Sequence, residues 1–512
     1  MSKRILLLFF LFLGTNFLFA QSPLVTTEGP VLPIYNSQMM HFSILNHAEE
    51  QFVAYIGPQM FTKKQPHGII TYDKTTHLLK KQIITLPCEY AYLFAMDAGE
   101  SYFATYARYL KKNTFSFATA SIAKSDTTSI SVVPKERFSF SIETRGYVKS
   151  FTAVSNSKQY FATVFTTFDK KSTMRGFHIF VYSKNGEEKS YQYVSAEQLG
   201  TKVSLQDVQV NDQGEVLLLF VRHILNTEEA KNGGIVCMVC SSSRSENYMY
   251  PVDFGSVHTA RLLQLRNGNY CIGGYYGTND DSETIGCFFY IIDLQRKTIV
   301  EGHHYPFTKD YVSSVGVPFM TAAKNYQTHC KSMYELENGS VAMLGEQSAM
   351  MWVEDQGKYY YALGDILCQY FDTHGECIAS HIVHKKQKML VPYLLTEMPE
   401  NNFTPNDMGL SFGAFCKENQ VYVLYTDKLP NAVGEEATNL CLVNKTCTML
   451  SVFSKDGVSQ KKVAILPGVA KRLFHTVWLS EDKDIFFGMF HSKIVGSMPI
   501  SKSYSIEHLM IE

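Results

Sequence analysis

From residue 38 to the end of the chain one rhythm recurs. An apolar run of strand length leads through a polar turn to a second such run. A variable loop follows, then a third run, a turn of Lys, Asn or Gly type, and a fourth. The runs are rich in Val, Ile, Tyr and Phe and are bounded by turn residues, which is how strands read. Clear copies are HFSILNHAEEQFVAYIG with GIITYDKTTHLLKKQIITL, FTAVSNSKQYFATVFTTF with GFHIFVYSKNGEEKSYQYV, and TARLLQLRNGNYCIGGYYG with GCFFYIIDLQRKTIVEGHHY. Four-strand units repeating roughly every 50 to 75 residues point to blades stacked around a channel.

This predicts an all-β chain: a β-propeller of four-stranded antiparallel sheets with eight blades, seven being the alternative count. It would occupy residues 21–512 as one domain. Two β-sandwiches compete, but no linker rich in Pro, Gly or Ser divides the chain. The first copy ends near Leu86, the second runs from Tyr90 to Val133, the third ends at Val194 and the fourth at Val252. The sixth is Asn338 to Gln387, the seventh about Leu410 to Leu466, and the eighth starts at Leu473 and is one strand short. Residues 24–36 precede the first copy and are expected to complete the last blade, which would leave no open sheet edge.

The leader Met1-Ser2-Lys3-Arg4, the apolar run Ile5 to Phe19 and the small residue Ala20 read as a signal peptide over residues 1–20. The run is too short to span a bilayer, so export to the periplasm, cell surface or medium without a transmembrane anchor is expected. Net charge is −1 and no long run carries one sign, which excludes the basic footprint of a nucleic-acid binder. Eleven Cys are scattered through apolar runs and read as small buried hydrophobes. Cys237 and Cys240 have metal-pair spacing, but residues three apart on a strand face opposite ways. Cys441 and Cys447 flank a short turn where a disulfide would fit.

Three long loops fall in consecutive copies: Thr308 to Cys330, Ser348 to Lys358 and Lys388 to Asp407. Long loops of this kind carry function. If they share a face, Glu346, Gln347, Trp352, Tyr359, Tyr360 and Asp365 would line a channel mouth as ligand-binding residues, with Glu354 and Asp355 beside them. Aromatic rings next to carboxylates and amides suit sugars or peptides. His303 and His304 are candidate bases. His374, His381 and His384 share a hairpin without metal-ligand spacing or a clear carboxylate partner. No cofactor is expected; the acidic loop Asn279 to Glu283 brings calcium to mind, but it lacks EF-hand spacing and reads as a solvated turn.

The stretch Gly345-Glu346-Gln347, Tyr359-Tyr360-Tyr361, Gly364-Asp365-Ile366, Phe371, Gly375 and Lys385 to Gln387 resembles an uncharacterised family of exported, propeller-like proteins from the Bacteroidetes. The resemblance covers about fifty residues and implies the same fold, but brings no activity. This chain departs from the pattern by inserting SAMMWVEDQGK and by carrying Ile378 near where a Trp often follows the Gly turn. Walker loops, nucleophile elbows and Rossmann fingerprints are absent. The expected function is therefore a non-catalytic binding or interaction scaffold for a protein or carbohydrate ligand. The alternative is a carbohydrate-active enzyme, hydrolase or lyase, with Glu346 and Asp365 as first suspects.

Overall fold

The computed structural model describes residues 26–28, 32–33, 40–48, 51–58, 67–73 and 78–509. Excepted are 223–233, 309–326, 354–357, 392–410, 429–437, 440–445, 466–471, 480–484 and some shorter turns. The expected signal peptide, residues 1–20, the acidic loop at 279–282, Glu354, Asp355 and Cys441 lie outside the described residues.

The protein is a β-propeller, and the described strands sort into eight sheets. The first sheet is built from Met40–Ala48, Gln51–Pro58, His67–Asp73 and Leu78–Thr85, joined in sequence order as antiparallel hairpins. The third (Tyr147–Val154 to Glu188–Ser195), fourth (Val203–Val210 to Ser245–Pro251) and fifth (Ser256–Gln264 to Thr298–Pro306) follow the same plan. So does the seventh, from Phe412–Lys417 to Gly457–Ile465. First strands of successive sheets lie beside one another, which sets them innermost around the axis.

Alternation along the strands explains the stacking. In the strand Val216–Arg222, Val216, Leu218 and Phe220 enter the core shared with the third sheet. Leu217, Leu219 and Val221 enter the core shared with the fifth. A strand apolar on both faces must be covered twice, and each such side chain contributes about 1.5–3 kcal/mol on burial. Cys240 and Cys237 follow the same parity into the two cores, and burial pushes both thiols up to about 12. They form no metal pair. Cys447 is buried beside Met449.

The last sheet closes as the sequence leads one to expect. Arg472–Leu479, Ile485–Val495 and Met498–Leu509 supply three strands, and the N-terminal segment supplies the edge. Thr26 pairs Leu509 and Leu32 pairs Tyr504. Two expectations are corrected. The second sheet does not end at Val133: Ser129–Ser131 crosses to lie parallel to Leu78–Thr85 of the first sheet, and Lys135–Ser141 becomes the fourth strand of the second. That exchange ties neighbouring sheets by backbone hydrogen bonds. The stretch Ser348 to Lys358, read as a loop, is strand at its described residues, 348–353 and Lys358: Val341–Val353 pairs with Lys358–Phe371 as a long antiparallel pair. Its extra length pairs outward with Gln387–Val391.

Between the first and second sheets sits an aromatic cluster. Tyr55 stacks on Tyr92 at 4.2 Å between ring centres, and its hydroxyl meets Tyr106 Oη and His67 Nδ1, each at 2.9 Å. Burial pushes His67 down from 6.5 to about 4. The unfolded chain therefore takes up this proton before the folded one. The contribution is full above 6.5 and is lost as pH falls toward 4, a change on the order of 3 kcal/mol. Urea midpoints should fall over that window, and His67→Gln should flatten part of the decline. Equal declines in both proteins would assign the effect to other groups.

Candidate functional site

In an up-and-down sheet, the turn between the second and third strands and the connection to the next sheet emerge at the same end. The three long segments noted in the sequence are of these two kinds. Their anchors, Thr308 and Gln327, Val353 and Lys358, and Val391 and Ser411, therefore share one face of the propeller. Much of Thr308 to Cys330 and Lys388 to Asp407 lies outside the described residues. Gln327–Glu335 is instead the innermost strand of the sixth sheet.

On this face the polar residues of the sequence motif form a buried network. Glu346 is fully buried; Lys385 Nζ and Ser411 Oγ donate to its two carboxylate oxygens, and Lys331 Nζ stands 3.6 Å away. Gln387 Oε1 accepts from Lys385 Nζ at 3.1 Å and from Ser411 N at 3.2 Å, while its amide donates to the Thr426 carbonyl. Ser411 and Thr426 belong to the seventh sheet's side, so the network fastens two sheets at the mouth. Burial pushes the Lys385 ammonium down and the Glu346 carboxylate opposes that shift. The register shifts between Glu346 and Ser348, a bulge that leaves Gln347 to accept from Asp365 N at 3.3 Å. Gly345 is required by packing: a Cβ there would lie 2.4 Å from the Tyr275 ring.

Asp365 is buried as well, accepting from Lys385 N at 3.2 Å and facing His384 Nδ1 at 3.1 Å. The His384 ring is largely exposed, so His384 does have a carboxylate partner, contrary to the sequence reading. His374 turns to Glu301 at 3.2 Å and His381 to the Lys455 carbonyl at 3.2 Å, so the three histidines do not converge. His303 meets Glu376 at 3.2 Å on the exposed edge strand and His304 stacks on Phe254. Among the described residues no group of three or more His, Cys, Asp or Glu is placed to hold a metal. For Trp352, Tyr359 and Tyr360 the description stops at the backbone: Trp352 pairs Tyr359 and Met351 pairs Tyr360.

The channel wall beside Glu346 carries residues the sequence did not single out. His329 pairs Glu346 across the hairpin and is half-buried. Burial pushes its imidazole down to about 4, and the charge of Lys331, the neighbouring His258 and the Arg261 guanidinium act in the same direction; Glu346 opposes them. His329 is thus neutral at pH 7. Lys331 keeps a quarter of its side chain exposed and Arg261 a third. Arg261 is braced by Asp207 at 3.1 Å and by the Cys330 carbonyl at 3.3 Å. First strands of three successive sheets so bring together two cations and a neutral base. The alternation in Gln-Thr-His-Cys-Lys-Ser-Met-Tyr, 327–334, is the signal that would have found the strand.

No family model matches the chain, and no curated protein does. Among solved structures it is similar to the polysaccharide lyase Uly1, over 96% of this chain and 100% of that one, at 8% identity and a TM-score of 0.44. It is also similar to CoXyl43, a β-xylosidase/α-arabinofuranosidase from a compost microbial metagenome (55% and 85% covered, 12% identity, TM-score 0.27). A third is a subtype N10 neuraminidase-like protein of A/little yellow-shouldered bat/Guatemala (62% and 94% covered, 7% identity, TM-score 0.30). The expectation of a non-catalytic scaffold finds no support here: these similar structures carry the names of carbohydrate-acting proteins, and at this identity the likeness shows the fold alone.

Removing Glu346 strands a buried ammonium. Glu346→Ala should cost about 3–5 kcal/mol, measured as a fall in urea stability, and adding Lys385→Met should recover much of it. A single-variant loss under about 1 kcal/mol would mean that water already compensates the pair.

Proposed function

We propose that the protein is a carbohydrate-active enzyme whose site is the channel mouth, and that it acts by β-elimination on an acidic polysaccharide. One observation carries this reading: on the strand Gln327–Glu335, His329 pairs Glu346 and lies two residues from Lys331, and burial, aided by the charges of Lys331 and Arg261, holds its imidazole neutral. Hydrolysis by a carboxylate pair fits less well. It needs one protonated and one ionised carboxyl group facing a cleft. Glu346 and Asp365 are buried, with protein donors on their oxygens.

Elimination needs a base for the proton α to a uronate carboxylate and positive charge to stabilise the carbanion-like transition state. Lys331 and Arg261 would hold the carboxylate. The His329 imidazole takes the α-proton, the electron pair forms a carbon–carbon double bond, and the glycosidic carbon–oxygen bond breaks. The leaving oxygen takes a proton from water, and the imidazolium returns its own to solvent. Binding an anion also strengthens the base: the same two cations that depress His329 are neutralised by the substrate carboxylate. The apolar leader supports placing this activity outside the cytoplasm, where polysaccharides occur.

The test is ultraviolet absorbance of the unsaturated product from a panel of uronate-containing and neutral polysaccharides. Product is expected only from uronate chains. His329→Ala should lower kcat by ~100- to 10,000-fold with the fold intact, and Lys331→Met should chiefly raise KM. Because the free base must be unprotonated, kcat/KM should be flat above about 4 and fall tenfold per pH unit below it. New reducing ends from neutral chains without unsaturated product would overturn elimination in favour of hydrolysis.

A further inference from the structure

On the face opposite the mouth, the fourth and fifth sheets flank an open cleft of about 820 Å³. That is within the size range of small-ligand sites. It is built by the turns that join first to second strands, around Asn211 to Glu215 and Leu265 to Asn269, and by those that join third to fourth. Leu217, Val239 and Leu294 form its apolar floor, and the rings of Tyr248 and Tyr270 its walls. Its polar lining has a definite character. Glu215, Glu246 and Asp293 contribute three carboxylates, and no described lining residue is cationic. Amides surround them, Gln213, Asn267 and Asn269 among others.

Each part has a known ligand complement. Carboxylates attract an ammonium group. Tyrosine rings offer an apolar surface for the C–H face of a sugar ring, and their hydroxyls a polar end. Side-chain amides both donate to and accept from hydroxyl groups. Each carboxylate also has a local partner. Asn211 Nδ2 donates to Glu215 Oε2 at 2.8 Å, the Tyr248 hydroxyl donates to Glu246, and Asp293 at the rim accepts from Arg296 N at 2.9 Å and faces the exposed Arg296 guanidinium at 3.5 Å. The three carboxylates do not converge as metal ligands do. The arrangement suits a spread, partly charged molecule rather than a divalent ion.

We propose that this cavity is a second glycan-binding site and that it takes sugar units bearing a free amine. The amine meets the carboxylates, the ring lies against Tyr248, and the hydroxyls reach the amides. The site does not rest on the reaction at the mouth. Its charge is opposite to that of the His329 wall, so an acidic chain held at the mouth would be repelled here.

Isothermal titration of the full mature chain with a glucosamine oligomer is the test, against the N-acetylated oligomer, a glucose oligomer of equal length, and spermidine. Glucosamine should bind at least tenfold tighter than either neutral oligomer, and weaken as salt rises. Tyr248→Ala should weaken it tenfold or more, and so should the isosteric Glu215→Gln paired with Asp293→Asn, whose unchanged melting temperature would certify the fold. His329→Ala should leave it unaltered. Equal binding of the N-acetylated or glucose oligomer would overturn the role of the carboxylates. Spermidine binding as tightly, with no effect of Tyr248→Ala, would reduce the cavity to a site for organic cations only. Absence of glucosamine binding would overturn the proposal outright.

Discussion

Strands such as Val216–Arg222 and Gly234–Cys240 send alternate side chains into two separate cores. A sheet built on them has no solvent face to spare, so it persists only between two neighbours. Repeated along the chain, that requirement leaves a problem only where the sequence of sheets begins and ends. Pairing of Thr26–Glu28 and Leu32–Pro33 with Met498–Leu509 answers it by making the last sheet from both ends of the chain. Satisfying the edge matters more than the few residues involved suggest, because an open edge pairs with other chains.

Polar residues inside such a stack must be justified by partners. Glu346, Lys385, Gln387 and Ser411 show how: each side chain in that group bonds to another member, and Gln387 also to backbone. A buried ion pair is weak support for stability when set against an apolar replacement, but it is strongly directional. Here the direction is useful. Holding Glu346 fixes where Lys331 can sit, and the pairing of His329 with Glu346 fixes the base on the same row. The buried Glu346–Lys385–Ser411 bonds lie behind the partly exposed Lys331.

That division explains what was legible in the sequence. Strand rhythm and alternation disclosed the fold, because burial on two faces leaves its mark on every strand. The need for an N-terminal strand followed from a count. The motif residues from Gly345 to Gln387 stood out for the same reason that they are not exposed: a Glu, an Asp and a Lys inside apolar runs are conspicuous. The sequence offers them as ligand-binding residues; the structure shows Glu346 and Asp365 buried and bonded to Lys385, Ser411 and His384. His329 is hidden in the segment read as a loop, Thr308 to Cys330, and Lys331 stands just past its end, because Thr328, His329 and Lys331 dilute the apolar signal of the strand Gln327–Glu335. Partners were beyond reach too: nothing in the spacing of Asp365 and His384 says that a turn brings them to 3.1 Å.

A net charge of −1 hides a further separation. At the mouth, Lys331 and Arg261 keep a quarter and a third of their side chains exposed, with the carboxylates Glu346 and Asp207 at 3.6 and 3.1 Å. On the opposite face, the fourth and fifth sheets gather carboxylates and amides around two tyrosines. Both features arise from one topological fact, since the ends of every strand divide between two faces and the turns at each end draw on different residues. Short turns on the lower face need Asn, Asp and Gly for their backbone geometry, which fills that end with amides and acids. Long connections on the upper face free the first strands to carry Lys, Arg and His. The propeller therefore sorts charge by strand direction, and a chain that is nearly neutral as a whole presents two surfaces of different chemistry.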